Sequence, residues 1–469
     1  MDKLFGTDGI RGKVGVYPLT EEMICKIGKA VSIFIKNTNP HKRRRQRISI
    51  AKDTRTTGDM FEEQLIKGIT SEGVDIVKLG ILPTPCTASL VKMSNHDMGV
   101  VVSASHNDIS DNGLKFFTHK GYKLTPAEEK EIERIVFSGT ADLTSASEGD
   151  GLLPAHPEDG TEHIAAEGKV KDEKDSIPLY IGLLKEIIAG VDLNNYKIVV
   201  DCAHGPISFI IPHLKSELGM NIVSINNTPN GSNINDGAGS LYPNVVSDFV
   251  IKEKCDCGFA FDGDGDRVIA CDEKGQVLDG DFILAIIAKY LIEKGKLNKN
   301  SIVTTQMSNL GLEMCVSQWG GRLIKTDVGD KFVLEKMLKG KLNLGGEQSG
   351  HIILLDHTTT GDGLLTALYI LKIMSEEGKS LGELARCMYK FPQILVNVEV
   401  GRKKPLEELP KLKKAMERIE KKLGAKGRLY VRYSGTENKL RIMIEGQNQL
   451  QIKELAEEIA CAAKEEIDA

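Results

Sequence analysis

Neither an excess of one charge, nor a long apolar run, nor a matched set of cysteines marks this chain. Its 61 Lys and Arg residues stand against 66 Asp and Glu, a formal net charge of −5. That balance argues against a dedicated nucleic-acid binder, whose footprint is a strong basic excess. It is compatible with a locally positive cleft. The longest strongly apolar stretch, FILAIIA at 282–288, is far too short to span a bilayer. The opening MDKLFGTDG lacks the apolar core of a signal peptide. The nine cysteines are scattered, and the one close pair, Cys255 and Cys257, has no second half with which to hold zinc. Reduced thiols in a cytoplasmic protein that does not engage a membrane are therefore expected. There is no G-x-x-x-x-G-K-[ST] loop, and Gly263 and Gly265 lack the third glycine of a dinucleotide fingerprint. Gly378-Lys-Ser380-Leu-Gly382 matches G-x-S-x-G, but it follows a helical pattern instead of joining a strand to a helix. The basic run from His41 to Arg47 reads as a solvated loop.

A chain of 469 residues with 41% hydrophobic and 27% charged residues can bury large cores and build about two to four domains. Strand and helix patterns alternate through the first three quarters, which predicts βαβ crossovers and mixed, mostly parallel sheets. The pattern is poorest over 138–178, where Gly, Pro and a charged run gather, so the first boundary is placed there. The expected units are 1–165, 166–267, 268–380 and 381–469. The last reads as α+β, with helices flanking the strands GRLYVRYS and KLRIMIEG.

Chemistry concentrates at four places. Asp262-Gly-Asp264-Gly-Asp266-Arg267 follows the apolar run GFAF. Three carboxylates at every second position converge on one ion when they sit in a loop, and hard oxygen ligands suit Mg²⁺. A calcium EF-hand is the competitor, but position six would be Arg267 where the turn needs glycine. Ser105 lies in SASHN, at the end of an apolar strand pattern, where open α/β sheets bind ligands. His106 is not read as its base, because adjacent strand residues point to opposite faces. Combined with the triplet, distant in sequence, Ser105 is instead a candidate phosphoserine whose phosphoryl oxygen joins the metal site. Glu347 and Ser349, in GGEQSGH, are candidates for sugar hydroxyls. Lys115 is a candidate proton carrier if its surroundings lower its pKa, and His351 is either an edge-of-core histidine or a functional one. Finally, RYSGTENKLR at 432–441 places two arginines and two hydroxyls in a tight loop, a cradle for a phosphate dianion or else a polar hairpin.

Taken together, GTDGIRG at 6–12, SASHN, DGDGDR and RYSGTENKLR resemble the α-D-phosphohexomutase superfamily along essentially the whole chain. The resemblance implies a heart-shaped molecule of three similar α/β domains and a C-terminal α+β domain around one cleft. It implies that Ser105 is the phosphorylated serine and that Ser105, Asp262, Asp264 and Asp266 hold one Mg²⁺. Arg267, Lys115 and His351 would assist transfer, and Glu347 and Ser349 would hold the sugar. Arg432, Ser434, Gly435, Thr436 and Arg441 would grip the phosphate that is not reacting. Thr7, Asp8, Arg11 and His106 would support the cleft. GGEQSGHII, GDGLLTAL and PQILVNV resemble the amino-sugar branch. The implied reaction interconverts glucosamine 6-phosphate and glucosamine 1-phosphate in the synthesis of UDP-N-acetylglucosamine. Glucosamine 1,6-bisphosphate would be the intermediate, and it or glucose 1,6-bisphosphate the activator. Mannose or glucose phosphates are the alternative substrates, and a metal-dependent phosphohydrolase is the reading from another class. A homodimer is a candidate assembly. Asp108 and Asn438 stand where the family commonly has proline, and Lys331 where arginine is common.

Overall fold

The computed structural model describes residues 3–6, 8–38, 44–138, 167–434 and 438–467. Thr7, Gly435, Thr436 and the first three residues of the basic run lie outside them.

Four sheets follow one another along the chain. The first has the spatial order Ile10–Lys13, Asp111–Thr118, Met98–Val102, Arg47–Lys52, Asp75–Ile81, Val170–Asp172. Its last four strands are mutually parallel, and the first two are added antiparallel. Met98–Val102 is buried at all five positions, which is why it reads as an uninterrupted apolar run. The helix Glu21–Thr38 covers this sheet with Ile24, Ile27, Val31, Phe34 and Ile35, spaced three or four apart as a single buried face requires. Arg44 and Arg45 of the basic run are not solvated cations as expected. Arg44 bonds Asp97 at 2.8 Å and the Asn95 carbonyl, and Arg45 bonds the Gly73 carbonyl. They fasten the run to loops at the sheet's lower end.

The second sheet runs Val277–Leu278, Val268–Asp272, Cys257–Phe261, Lys197–Asp201, Asn221–Ile225. The Asp triplet therefore sits in a hairpin within this sheet, whose strands continue past residue 267. The third runs Arg322–Thr326, Ser301–Thr305, Leu344–Gly346, Ile352–Leu354. The apolar run at 282–288 forms the interior of the helix Gly280–Glu293, which is buried almost all round. The fourth sheet is antiparallel and has three strands, not two: Gln393–Glu399 pairs with Lys439–Gly446, which pairs with Gly427–Tyr433.

One apolar core runs from Ala51, Leu79 and Leu90 through Tyr180, Ile207 and Phe259 to Leu344, Leu368 and Met388, so the first three units share it. The fourth has its own core, from Ile394 to Ile467. Polar links join it to the rest: Arg428 Nη2 donates to the Ser308 carbonyl (2.7 Å) and Asn309 Nδ2 to the Phe391 carbonyl (2.9 Å). Ser380 of the G-x-S-x-G match caps the helix Leu381–Ala385 and donates to Glu273. Its hydroxyl has a structural use.

Candidate active site

Ser105 lies three residues beyond the strand Met98–Val102, in a turn with φ +55°. A left-handed serine is costly and persists only where its surroundings fix it. Ser103, the serine two residues earlier, donates to Asp53 Oδ2 (2.7 Å) and accepts the Ser105 amide (2.9 Å). Asn235 Nδ2 donates to the Ser105 carbonyl (2.9 Å). Arg55 is wholly buried, paired with Asp53 at 3.0 Å, and donates to the carbonyls of residues 105, 107, 108 and 111. Nothing in the KDTR stretch around it announced this clamp. Arg55→Lys, which replaces a planar fork with a single ammonium, is expected to cost about 2 kcal/mol of stability. It should also lower turnover more than it raises KM; thermal melts with steady-state kinetics check both.

The turn also corrects the reading of His106. Alternation of faces ends with the strand, and His106 Nδ1 lies 3.2 Å from Ser105 Oγ. Burial, then Arg267 and Arg11, depress its pKa to about 3, so the imidazole is neutral near pH 7. Ser105 Oγ donates to Asp262 Oδ2 at 2.5 Å.

Oxygens of Asp262, Asp264 and Asp266 lie within 4.8 Å of one another, and all three residues are buried. Among the described residues this is the one group with the composition of a metal site. Glycine is required between them. Gly265 has φ +73°, and a Cβ on Gly263 would stand 2.5 Å from the Ser105 carbonyl oxygen. Asp264 Oδ1 and Asp266 Oδ1 are buried with no hydrogen-bond partner, as oxygens kept for a cation would be. The residues fit a hard divalent ion. Burial and the other two carboxylates push Asp262 well above the usual carboxylate range. Against the same burial, Lys115 draws Asp264 and Asp266 down.

Lys115 Nζ donates to Asp264 Oδ2 (2.6 Å) and Asp266 Oδ2 (2.9 Å), with Asp8 at 3.4 Å. The expected lowering of its pKa is not found. Burial acts downward, but Asp264, Asp266 and Asp8 outweigh it and hold the ammonium well above its ordinary value. His351 behaves alike. Burial would lower it, and Asp266, 3.5 Å from Nδ1, raises it. Its Nε2 faces Asp330 at 3.6 Å. Asp8 pairs with Arg11 and with Lys123 Nζ, and Lys123 also pairs with Asp330. Lys123 and Asp330 thus tie the first unit to the third across the cleft floor, a link not foreseen from the sequence.

Glu347 Oε1 accepts the Gly329 amide (3.2 Å); burial and the nearby Asp330 raise its pKa. In the fourth sheet, Arg432 and Arg441 are direct cross-strand partners. Like charges placed opposite one another destabilise a strand pair unless an anion is held between them. A single cleft of about 830 Å³ is lined by Asp8, Arg11, His106, Asp266, Arg267, Glu347, Ser349, His351, Arg432, Ser434 and Arg441. Each of the four motifs therefore sends at least one side chain into this space, whereas Ser105, Lys115, Asp262 and Asp264 lie buried behind its wall.

Four family models tile the chain: phosphoglucomutase/phosphomannomutase alpha/beta/alpha domain I over 2–142, domain II over 179–275, domain III over 279–391 and the C-terminal domain over 395–462. The phosphoglucosamine mutase of Geobacter metallireducens is 47% identical over 469 residues, covering 100% of this chain and 99% of the relative. That of Geotalea uraniireducens is 46% identical, covering 98% and 97%. In fold, the chain is similar to a phosphoglucomutase/phosphomannomutase family protein of Burkholderia thailandensis (TM-score 0.77, 21% identity, 98% and 97% coverage). It is also similar to the N-acetylphosphoglucosamine mutase of Aspergillus fumigatus, solved with GlcNAc-6P and magnesium (TM-score 0.66, 19% identity, 99% and 96% coverage). With its four domain types in order and near-half identity from end to end, the chain belongs to the phosphoglucosamine mutases of the phosphohexomutase superfamily.

Proposed function

We propose that the protein interconverts glucosamine 6-phosphate and glucosamine 1-phosphate through a phosphoserine at Ser105. What supports this reading is one cleft lined both by Asp266 and Arg267 of the Asp loop and by the arginine pair Arg432 and Arg441, with the strained Ser105 buried behind its wall and bonded to Asp262. A hydrolase needs the first feature. Only an enzyme that must retain a bisphosphate while it turns needs the second as well.

In the forward direction the Oγ–P bond of phosphorylated Ser105 breaks and a new O–P bond forms to the oxygen of the free sugar hydroxyl, which gives up its proton as the departing Ser105 Oγ gains one, yielding the 1,6-bisphosphate. After the intermediate reverses, Ser105 Oγ attacks the other phosphorus and the monophosphate product leaves. Arg267, at the cleft wall beside Asp266, faces the transferring group and offsets its charge. Arg432, Ser434 and Arg441 hold the phosphate at rest. Glu347 and Ser349 orient the ring, and Asp8 and Arg11 brace the floor beneath Ser105. Mg²⁺ held by Asp262, Asp264 and Asp266 would act as a Lewis acid on the phosphoryl oxygens and would compete with Lys115 for those carboxylates. Lys115, kept protonated by neighbouring carboxylates, is placed to return a proton to a leaving oxygen, and His351, whose charged form Asp266 favours, is its counterpart. Added glucosamine 1,6-bisphosphate or glucose 1,6-bisphosphate would restore phosphate lost from Ser105. A cytoplasmic location and assembly as a homodimer belong to the same reading.

Specificity constants for glucosamine, glucose and mannose 6-phosphates, measured side by side with Mg²⁺ and a bisphosphate activator, test it. Preference for the amino sugar is the expected result. Preference for an unaminated sugar would overturn the substrate assignment, and phosphate release at the rate of substrate loss would overturn the mutase reading.

A further inference from the structure

We propose that Asp330, together with Glu347, receives the 2-ammonium group of the amino sugar and so sets the preference over the hydroxyl analogue. This rests on the sugar-phosphate mutase reading above and names the group that selects among its substrates.

The cleft is lined by the cations Arg11, Arg267, Arg432 and Arg441 and also by the carboxylates Asp330 and Glu347. A hexose phosphate without an amino group offers these carboxylates only neutral hydroxyl donors, whereas the ammonium of a glucosamine phosphate makes a charge-assisted contact with them. The two carboxylates are neighbours by construction, because Glu347 Oε1 accepts the amide of Gly329, the residue before Asp330. Their mutual repulsion is relieved when a cation lies between them.

Asp330 is also well held. It opens the helix Asp330–Gly340, its Oδ1 accepts the Lys331 amide (2.8 Å), and Lys123 and His351 sit against Oδ2. Lys123 is shared with Asp8, so Asp330 does not have that ammonium to itself. A carboxylate has about four acceptor positions, leaving one for the substrate. The competing explanation is that Asp330 exists only to anchor Lys123 and hold the first and third units together. Such a role affects every substrate alike, which makes the ratio between substrates the decisive readout.

The experiment measures kcat/KM for glucosamine 6-phosphate and glucose 6-phosphate in wild type, Asp330→Asn, Asp330→Glu and Lys123→Met, all as full-length chains. Asp330→Ser serves in place of the amide should that variant not fold. Losing one charge-assisted contact should lower the glucosamine-to-glucose ratio about ten- to hundredfold in Asp330→Asn. Asp330→Glu should recover part of it, while Lys123→Met lowers both constants together and leaves the ratio at or above that of wild type. If Asp330→Asn lowers both constants equally, the residue is an anchor and the inference is wrong. If wild type itself prefers glucose 6-phosphate, the substrate reading fails before any variant is compared.

Discussion

Ser105→Ala is expected to fold and to lose turnover by about 10⁴-fold or more, because the atom that carries the phosphoryl group is gone and no neighbouring group replaces it. The fold should survive, since the lost contacts are one hydrogen bond to Asp262 and the approach to His106, and alanine is no worse at φ +55° than serine. The thermal midpoint should move by only a few degrees. Intact mass gives an independent readout: wild type purified fresh should carry one phosphate on this residue, and the variant none. Ser103→Ala makes an informative contrast. Its hydroxyl joins Asp53 to the Ser105 amide, so its removal should cost about 1–2 kcal/mol of stability with a much smaller loss of turnover. Equal loss of turnover in the two variants at equal stability would show that the wrong serine has been assigned.

Asp262→Asn should do two opposite things: raise the stability of the metal-free protein and abolish most of its activity. The amide is isosteric, accepts the Arg267 amide in place of Oδ1, and removes a buried charge crowded by Asp264 and Asp266. Each ~1 kcal/mol of relief is worth about 2–4 °C in midpoint for a domain of ordinary size. The pH dependence follows from the upward shift of Asp262. A carboxyl whose folded pKa lies above its unfolded value contributes stability that is present below the unfolded value and lost as pH rises through the folded one. The stability gain of Asp262→Asn should therefore be small in acid and grow as pH rises. Metal affinity and kcat should fall together, with partial recovery in excess Mg²⁺. A variant whose metal-free form is no more stable at pH 8 than wild type would show that the three carboxylates are not in mutual conflict.

Much of this site was legible because SASHN, DGDGDR and the loop after Gly427–Tyr433 each sit where a strand ends, and a polar cluster at that place has few structural uses. DGDGDR carried the most information, since the spacing, the glycines and the charge all imply one geometry. Other parts of the site were hidden for physical reasons. Arg55 clamps the serine turn through backbone carbonyls, and a carbonyl leaves no mark in the sequence. Lys123 and Asp330 meet across 207 positions of chain, beyond the reach of any local pattern. The rule that neighbouring side chains alternate failed for His106 because it was carried past Val102, where the strand stops. Lys115 was misjudged because burial was considered without the carboxylates that share it. The strand Gln393–Glu399 was missed as a strand because its burial follows no clean alternation.

The core shared among the first three units has a consequence for synthesis. Apolar residues 51–90 and 180–222 pack against partners that extend to Met388, so a nascent chain shorter than that cannot finish burying them. At roughly 5–20 residues per second on a bacterial ribosome, the interval between Ile222 and Met388 leaves that surface bare for seconds to tens of seconds. Premature termination inside this interval should yield chaperone clients and aggregates, whereas a stop codon just after it should release a soluble body lacking only its final lobe.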